Sequence, residues 1–68
     1  MNDDVLNLSI RTLLKTVGIQ AQRAIEQAVS KAISDGTIVG TESFPAKITL
    51  DVAGLKLKVE FSGEVKLQ

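Results

Sequence analysis

The side chains best suited to catalysis are absent or scattered in this chain of 68 residues. It contains no His and no Cys, which removes the commonest general base, the thiolate nucleophile and zinc–thiolate sites. Asp3 and Asp4 are adjacent, and adjacent helical residues point about 100° apart, so they form a poor catalytic pair. The other acids are spread along the chain, and no glycine-rich phosphate loop is present. We therefore expect no enzyme activity, no metal site and no cofactor.

Exposed apolar side chains favour a protein-interaction surface instead. Val5 and Leu8 lie away from the main apolar stripe of the first predicted helix, and Val65 and Leu67 belong to a short terminal strand with an open edge. A small chain without a disulfide or a metal gains most from an oligomeric core. We predict a non-catalytic protein-interaction or self-associating module, a homodimer through either pair of residues, with any other protein partner unspecified.

Nucleic-acid binding is the alternative function. Two helices joined at Thr16-Val17-Gly18-Ile19 and followed by a β-hairpin would resemble a helix-turn-helix with a wing. Gln and Arg side chains can read base edges. The candidate contacts would be Gln20, Gln22, Arg23, Gln27 and Lys31 on the second helix and Lys56 and Lys58 on the hairpin. Eight basic and eight acidic residues give zero formal charge, which argues against this partner.

The elements that position these residues change character at Gly36. Before it, apolar residues recur at helical spacing, and after it they alternate. Asn2 is an expected N-cap, Gly18 is expected to close a first helix over about 3–17, and Gly36 to close a second over about 20–35. Gln20 is a weak cap for that second helix.

The second half of the chain predicts an antiparallel sheet. Strands are expected over about 46–52, 55–61 and 65–67, with Thr37-Ile38-Val39 as a further candidate edge strand. A tight turn at Ala53-Gly54 would pair Val52 with Leu55 and place Lys47 opposite Glu60, although a four-residue turn keeps the same faces. Ser62-Gly63-Glu64 fits either a turn or a bend within a continuing strand, and we favour the turn.

The predicted fold is a single α+β domain over residues 1–68. Two antiparallel helices would pack on a two- to three-stranded antiparallel sheet in the order α-α-β-β-β. The expected core comprises Leu6, Ile10, Leu13, Leu14, Val17, Ile25, Val29, Ile33, Ile48, Leu50, Leu57, Val59 and Phe61. An acidic start and the lack of a long apolar run argue against a signal peptide or a membrane span. We expect a cytoplasmic protein with no membrane contact.

A resemblance to a known group adds to this interpretation. Met1-Asn2, Ile10-Arg11, Leu14-Lys15 and Gly18 resemble short bacterial proteins catalogued as a domain of unknown function. The motifs that also match are Gln22-Arg23-Ala24-Ile25-Glu26, Gly36 and Pro45-Ala46-Lys47. The resemblance spans nearly the whole chain and implies a bacterial, stand-alone protein of about this length. It implies no activity, ligand or catalytic residue.

Overall fold

The computed structural model describes all residues from Met1 to Gln68 and divides into two compact units, Met1–Asp35 and Gly36–Gln68. The first unit is one helix, α1 (Asp3–Ser34). The second is a hairpin of two antiparallel strands, β1 (Ser43–Val52) and β2 (Leu57–Lys66), joined through a 3-10 turn at Ala53–Leu55. The order α-β-β corrects the predicted α-α-β-β-β arrangement of two helices and a two- to three-stranded sheet.

The two ends of α1 are the ones that the sequence predicts. The Asn2 side-chain oxygen accepts hydrogen bonds from the backbone N–H groups of Asp4 at 3.0 Å and Val5 at 3.2 Å. At the other end the Asp35 N–H donates to the Lys31 carbonyl at 2.8 Å, and Gly36 follows with a φ of 76°. A side-chain N-cap and a left-handed glycine are the usual devices that start and stop a helix.

The predicted break at Gly18 is wrong, because the helix runs through it without interruption. A glycine inside a helix costs only about 1 kcal/mol relative to alanine, and no proline or strong N-cap follows it. The apolar pattern also continues in phase across the glycine: Leu6, Val17 and Ala28 recur at intervals of 11 residues, which is close to three helical turns. One amphipathic face therefore covers both predicted helices and favours a single long one.

The hairpin keeps the predicted faces but not the predicted register. Val52 pairs with Leu57 rather than Leu55, and Ile48 pairs with Phe61 rather than Val59. The reason is the turn, which uses four residues and leaves Lys56 with a left-handed φ of 53°. Because the register moves by two residues, every side chain stays on its predicted face. Lys47 and Glu60 still form an ion pair at 3.6 Å, as diagonal rather than directly opposite neighbours.

The favoured third strand is also absent. Strand β2 continues through Ser62-Gly63-Glu64, with Gly63 opposite Ala46 and Val65 opposite Phe44. Residues 65–67 are therefore not a separate strand after a turn, and the bend within a continuing strand was the correct alternative. Thr37-Ile38-Val39 forms no strand either. Long strands explain the difference, since ten ladder pairs bring β2 back beside the start of β1.

No residue of the chain is fully buried, so the predicted core is not a closed interior. Leu13 and Leu14 are 52% and 58% exposed, and Ile48 and Phe61 are 54% and 56% exposed. These apolar side chains lie on the faces that the periodicity assigns to them, but they remain open to solvent. An apolar surface left open on this scale is the feature that the candidate site is built from.

Candidate self-association surface

The largest apolar surface of the first unit is one stripe along α1. At about 100° per residue its members fall within an arc of roughly 120°. We call it the helix stripe, and its residues are Leu6, Ile10, Leu13, Leu14, Val17, Ala21, Ala24, Ile25, Ala28 and Ala32. The expected break at Gly18 assigned the two halves of the stripe to separate helices. The 11-residue spacing through Gly18 was the signal that could have joined them.

The helix stripe is open to solvent over most of its length. Its large side chains range from 40% exposed at Ile25 to 58% at Leu14, and only Ala21 and Ala32 are half-buried. A monomeric soluble protein rarely leaves so continuous an apolar strip uncovered. The stripe therefore has the composition and the exposure of a contact surface.

The size of the side chains changes along the helix stripe. The half before Gly18 carries leucine, isoleucine and valine, whereas the half after it carries four alanines and one isoleucine. Alanine lets a neighbouring helix approach closely, and bulky side chains hold it further away. A partner helix can therefore approach more closely along the half after Gly18 than along the half before it.

The predicted contact residues Val5 and Leu8 lie on another side of α1 and are 62% and 66% exposed. They line a shallow apolar groove together with Leu13 and the hydroxyl-bearing residues Ser9, Thr12 and Thr16. Ser9 donates its hydroxyl proton to the Leu6 carbonyl at 2.9 Å, so that polar group is satisfied within the helix itself. The groove is shorter than the helix stripe, and three of its six lining residues carry hydroxyl groups.

The other predicted contact pair, Val65 and Leu67, belongs to the hairpin. Both are partly covered, Val65 pairs with Phe44, and the Leu67 N–H donates to the Glu42 carbonyl at 3.0 Å. They continue the apolar face of the hairpin rather than forming a separate edge strand. Among the large side chains paired in the ladder, the most exposed on that face are Ile48 and Phe61, which lie opposite each other.

The residues proposed to contact nucleic acid do not form a recognition helix, because no turn separates two helices at Thr16–Ile19. Gln20, Gln27 and Lys31 lie along one edge of the helix stripe, while Gln22 points to the far side of α1. Arg23 and Glu26 line two shallow depressions, one of which also includes Gln27 and the other Gln22. Lys56 lies in the hairpin turn and Lys58 on the polar face, opposite Asp51. The winged helix-turn-helix arrangement is therefore a wrong prediction.

The tightest polar arrangement is a carboxylate clamp before β1. The Glu42 side chain accepts hydrogen bonds from the backbone N–H groups of Val39 at 2.9 Å, Gly40 at 2.9 Å and Thr41 at 3.0 Å. The N–H groups of Val39 and Gly40 are the main reason that the pKa of Glu42 lies below its usual value. Every donor is local backbone, so the clamp shapes the loop rather than a ligand site.

Two further kinds of site find no support in the molecule. No group of three or more acidic side chains is placed to hold a metal ion. None of the helical segments combines the length and the apolar character that a membrane crossing demands.

Comparison with known proteins identifies a family but no activity. Neither the curated proteins nor the solved structures contain a match to the chain. One family model matches, and it covers residues 1–68, the whole sequence. The chain belongs to DUF6494, a family of unknown function.

Proposed function

We propose that this chain is a small non-catalytic interaction module that self-associates through the helix stripe. The observation that carries the proposal is the exposure of its six large side chains, between 40% and 58%. An isolated amphipathic helix draws most of its stability from packing of its apolar face. A second copy of the same stripe supplies such packing without requiring any other protein.

The energies involved are of the right size for a reversible dimer. Full burial of a large apolar side chain is worth about 1.5–3 kcal/mol, so covering the exposed half gives roughly 0.8–1.5 kcal/mol for each one. Twelve such side chains in two copies then supply roughly 9–18 kcal/mol, against an association cost of about 4–15 kcal/mol. A dimer that forms at micromolar concentrations requires about 8 kcal/mol of net affinity, a value that lies within the difference between these two ranges.

The test compares two leucines of similar exposure on different sides of α1. Leu14 belongs to the helix stripe and is 58% exposed, and Leu8 lies outside it and is 66% exposed. Leucine and lysine have similar helix propensities, so neither Leu14→Lys nor Leu8→Lys disfavours the helix through propensity alone. Sedimentation equilibrium should show that Leu14→Lys is a monomer at concentrations where the unmodified chain and Leu8→Lys are dimers.

Two results would contradict the proposal. A monomeric unmodified chain at hundreds of micromolar would remove self-association altogether. A dimer that survives Leu14→Lys but is lost in Leu8→Lys or in Phe61→Lys would move the contact to the Val5–Leu8 groove or to the apolar face of the hairpin. Circular dichroism on each variant is interpreted together with its mass, because loss of the packing on the helix stripe should also lower the helix content of Leu14→Lys but not that of Leu8→Lys.

A further inference from the structure

We infer that two copies of α1 pair antiparallel, with the two-fold axis level with Ile19, so that the bulky half of each helix stripe packs on the alanine half of the other. This inference rests on the proposed function, since it specifies how the second copy is seated. It concerns the direction and the register of the pair, which self-association alone leaves open.

Size complementarity is the first reason. An antiparallel pair centred at Ile19 places Leu6 opposite Ala32, Ile10 opposite Ala28, Leu14 opposite Ala24 and Val17 opposite Ala21. Four of the five pairs within the helix stripe therefore join one large and one small side chain, and the fifth joins Leu13 and Ile25 at the two edges of the stripe. The distance between the helix axes can then stay nearly constant along most of the pair. Close packing without voids favours this alternation of large and small partners.

A parallel pair would lack this match. Leucines, isoleucine and valine would meet their own copies before Gly18, and alanines would meet alanines at four of the five stripe positions after it. The two axes would then have to be far apart at one end and close at the other, which either leaves voids among the alanines or overpacks the leucines. A straight pair of helices cannot satisfy both halves at once.

The position of the axis and the helix dipoles give independent support. Ile19 lies next to the midpoint of α1 (Asp3–Ser34), so the antiparallel pair overlaps over nearly the full helix. In that arrangement the positive N-terminal end of each helix, with its Asn2 cap, lies beside the negative C-terminal end of the other. The 11-residue recurrence keeps the stripe nearly straight along this whole overlap.

The test uses engineered cysteines, because the chain contains none of its own. Ile10 and Ala28 lie at the centre of the helix stripe and should face each other across the dimer. In the antiparallel pair two copies of Ile10 are about 27 Å apart along the axis, too far for a disulfide. We would mix a tagged Ile10→Cys chain with an untagged Ala28→Cys chain in a glutathione redox buffer and separate the products by size.

We expect the mixed disulfide to exceed both homodisulfides by on the order of a hundredfold, because only its two thiols are held together. The matched control is the pair Lys15→Cys and Arg23→Cys, which lies at corresponding levels but points away from the stripe, and it should cross-link no more than random collision allows.

Every other outcome overturns the inference. A dominant Ile10→Cys homodisulfide would show a parallel pair. Equal amounts of all products, or a cross-linked control pair, would show that the helices have no fixed register. A chain that sediments as a dimer but forms no disulfide at these positions would place the contact elsewhere. A chain that sediments as a monomer would instead refute the proposed function, so the two failures are distinguishable.

Discussion

Replacing Gly18 by alanine tests whether α1 is one continuous helix. Glycine is about 0.8–1.0 kcal/mol less favourable than alanine in a helix interior. A Cβ atom built at Gly18 meets no other atom within 4 Å, so the substitution has no steric cost within the chain. Gly18→Ala should therefore raise the free energy of unfolding by about 0.8–1.0 kcal/mol. For a chain of this size that corresponds to a rise in Tm of roughly 3–8 °C.

Gly36→Ala is the matched control, since it is the same chemical change at another open position. A Cβ atom at Gly36 also meets nothing within 4 Å, but the backbone there has a φ of 76°. An alanine held in the left-handed region costs about 1–2 kcal/mol, so this variant should be destabilised. The two substitutions are thus expected to have opposite signs, and only backbone conformation separates them.

Thermal unfolding followed by circular dichroism at the helix minimum is the assay, with all chains at equal concentration because the proposed dimer would make Tm concentration-dependent. In Gly18→Ala the Tm should rise, and the helix signal before unfolding should not fall. A lower Tm for Gly18→Ala, comparable to that of Gly36→Ala, would refute the continuous helix. It would mean that Gly18 adopts a left-handed conformation and closes a first helix there.

Two further predictions concern the hairpin unit. Lys56 has a left-handed φ of 53° in the turn, so Lys56→Gly should stabilise the hairpin by roughly 0.5–1 kcal/mol, measured by chemical denaturation. The control is Lys58→Gly within strand β2, which should destabilise the hairpin. The lowered pKa of Glu42 means that its stabilising effect is complete above the unfolded-state pKa and is lost as pH falls through the folded-state value. In an NMR titration, the chemical shift of the Gly40 amide should change with pH as Glu42 is protonated. If the same pH-dependent change remains in Glu42→Gln, the clamp is contradicted.

The sequence by itself determined the features that depend on a few neighbouring residues. The Asn2 cap and the Gly36 stop were both predicted, because each is a local backbone device that works in the same way in any helix. The two faces of the hairpin were predicted for the same reason, since alternation is a property of the strand alone. The lack of His and Cys likewise restricts the available chemistry through composition alone, whatever the fold.

Tertiary structure decided the features in which two local solutions have similar free energies. A glycine can end a helix or lie within it at a cost of about 1 kcal/mol. At Gly18 the apolar face that runs through both halves of α1 decides in favour of a continuous helix. A hairpin register can shift by two residues without moving any side chain to the other face, so the turn that holds Lys56 left-handed selects the pairing. Gly63 is held in the strand because Ala46 on β1 lies opposite to pair with it. Apolar periodicity assigns a side chain to a face but not its exposure, so only the structure shows that Leu14 in the helix stripe is 58% exposed.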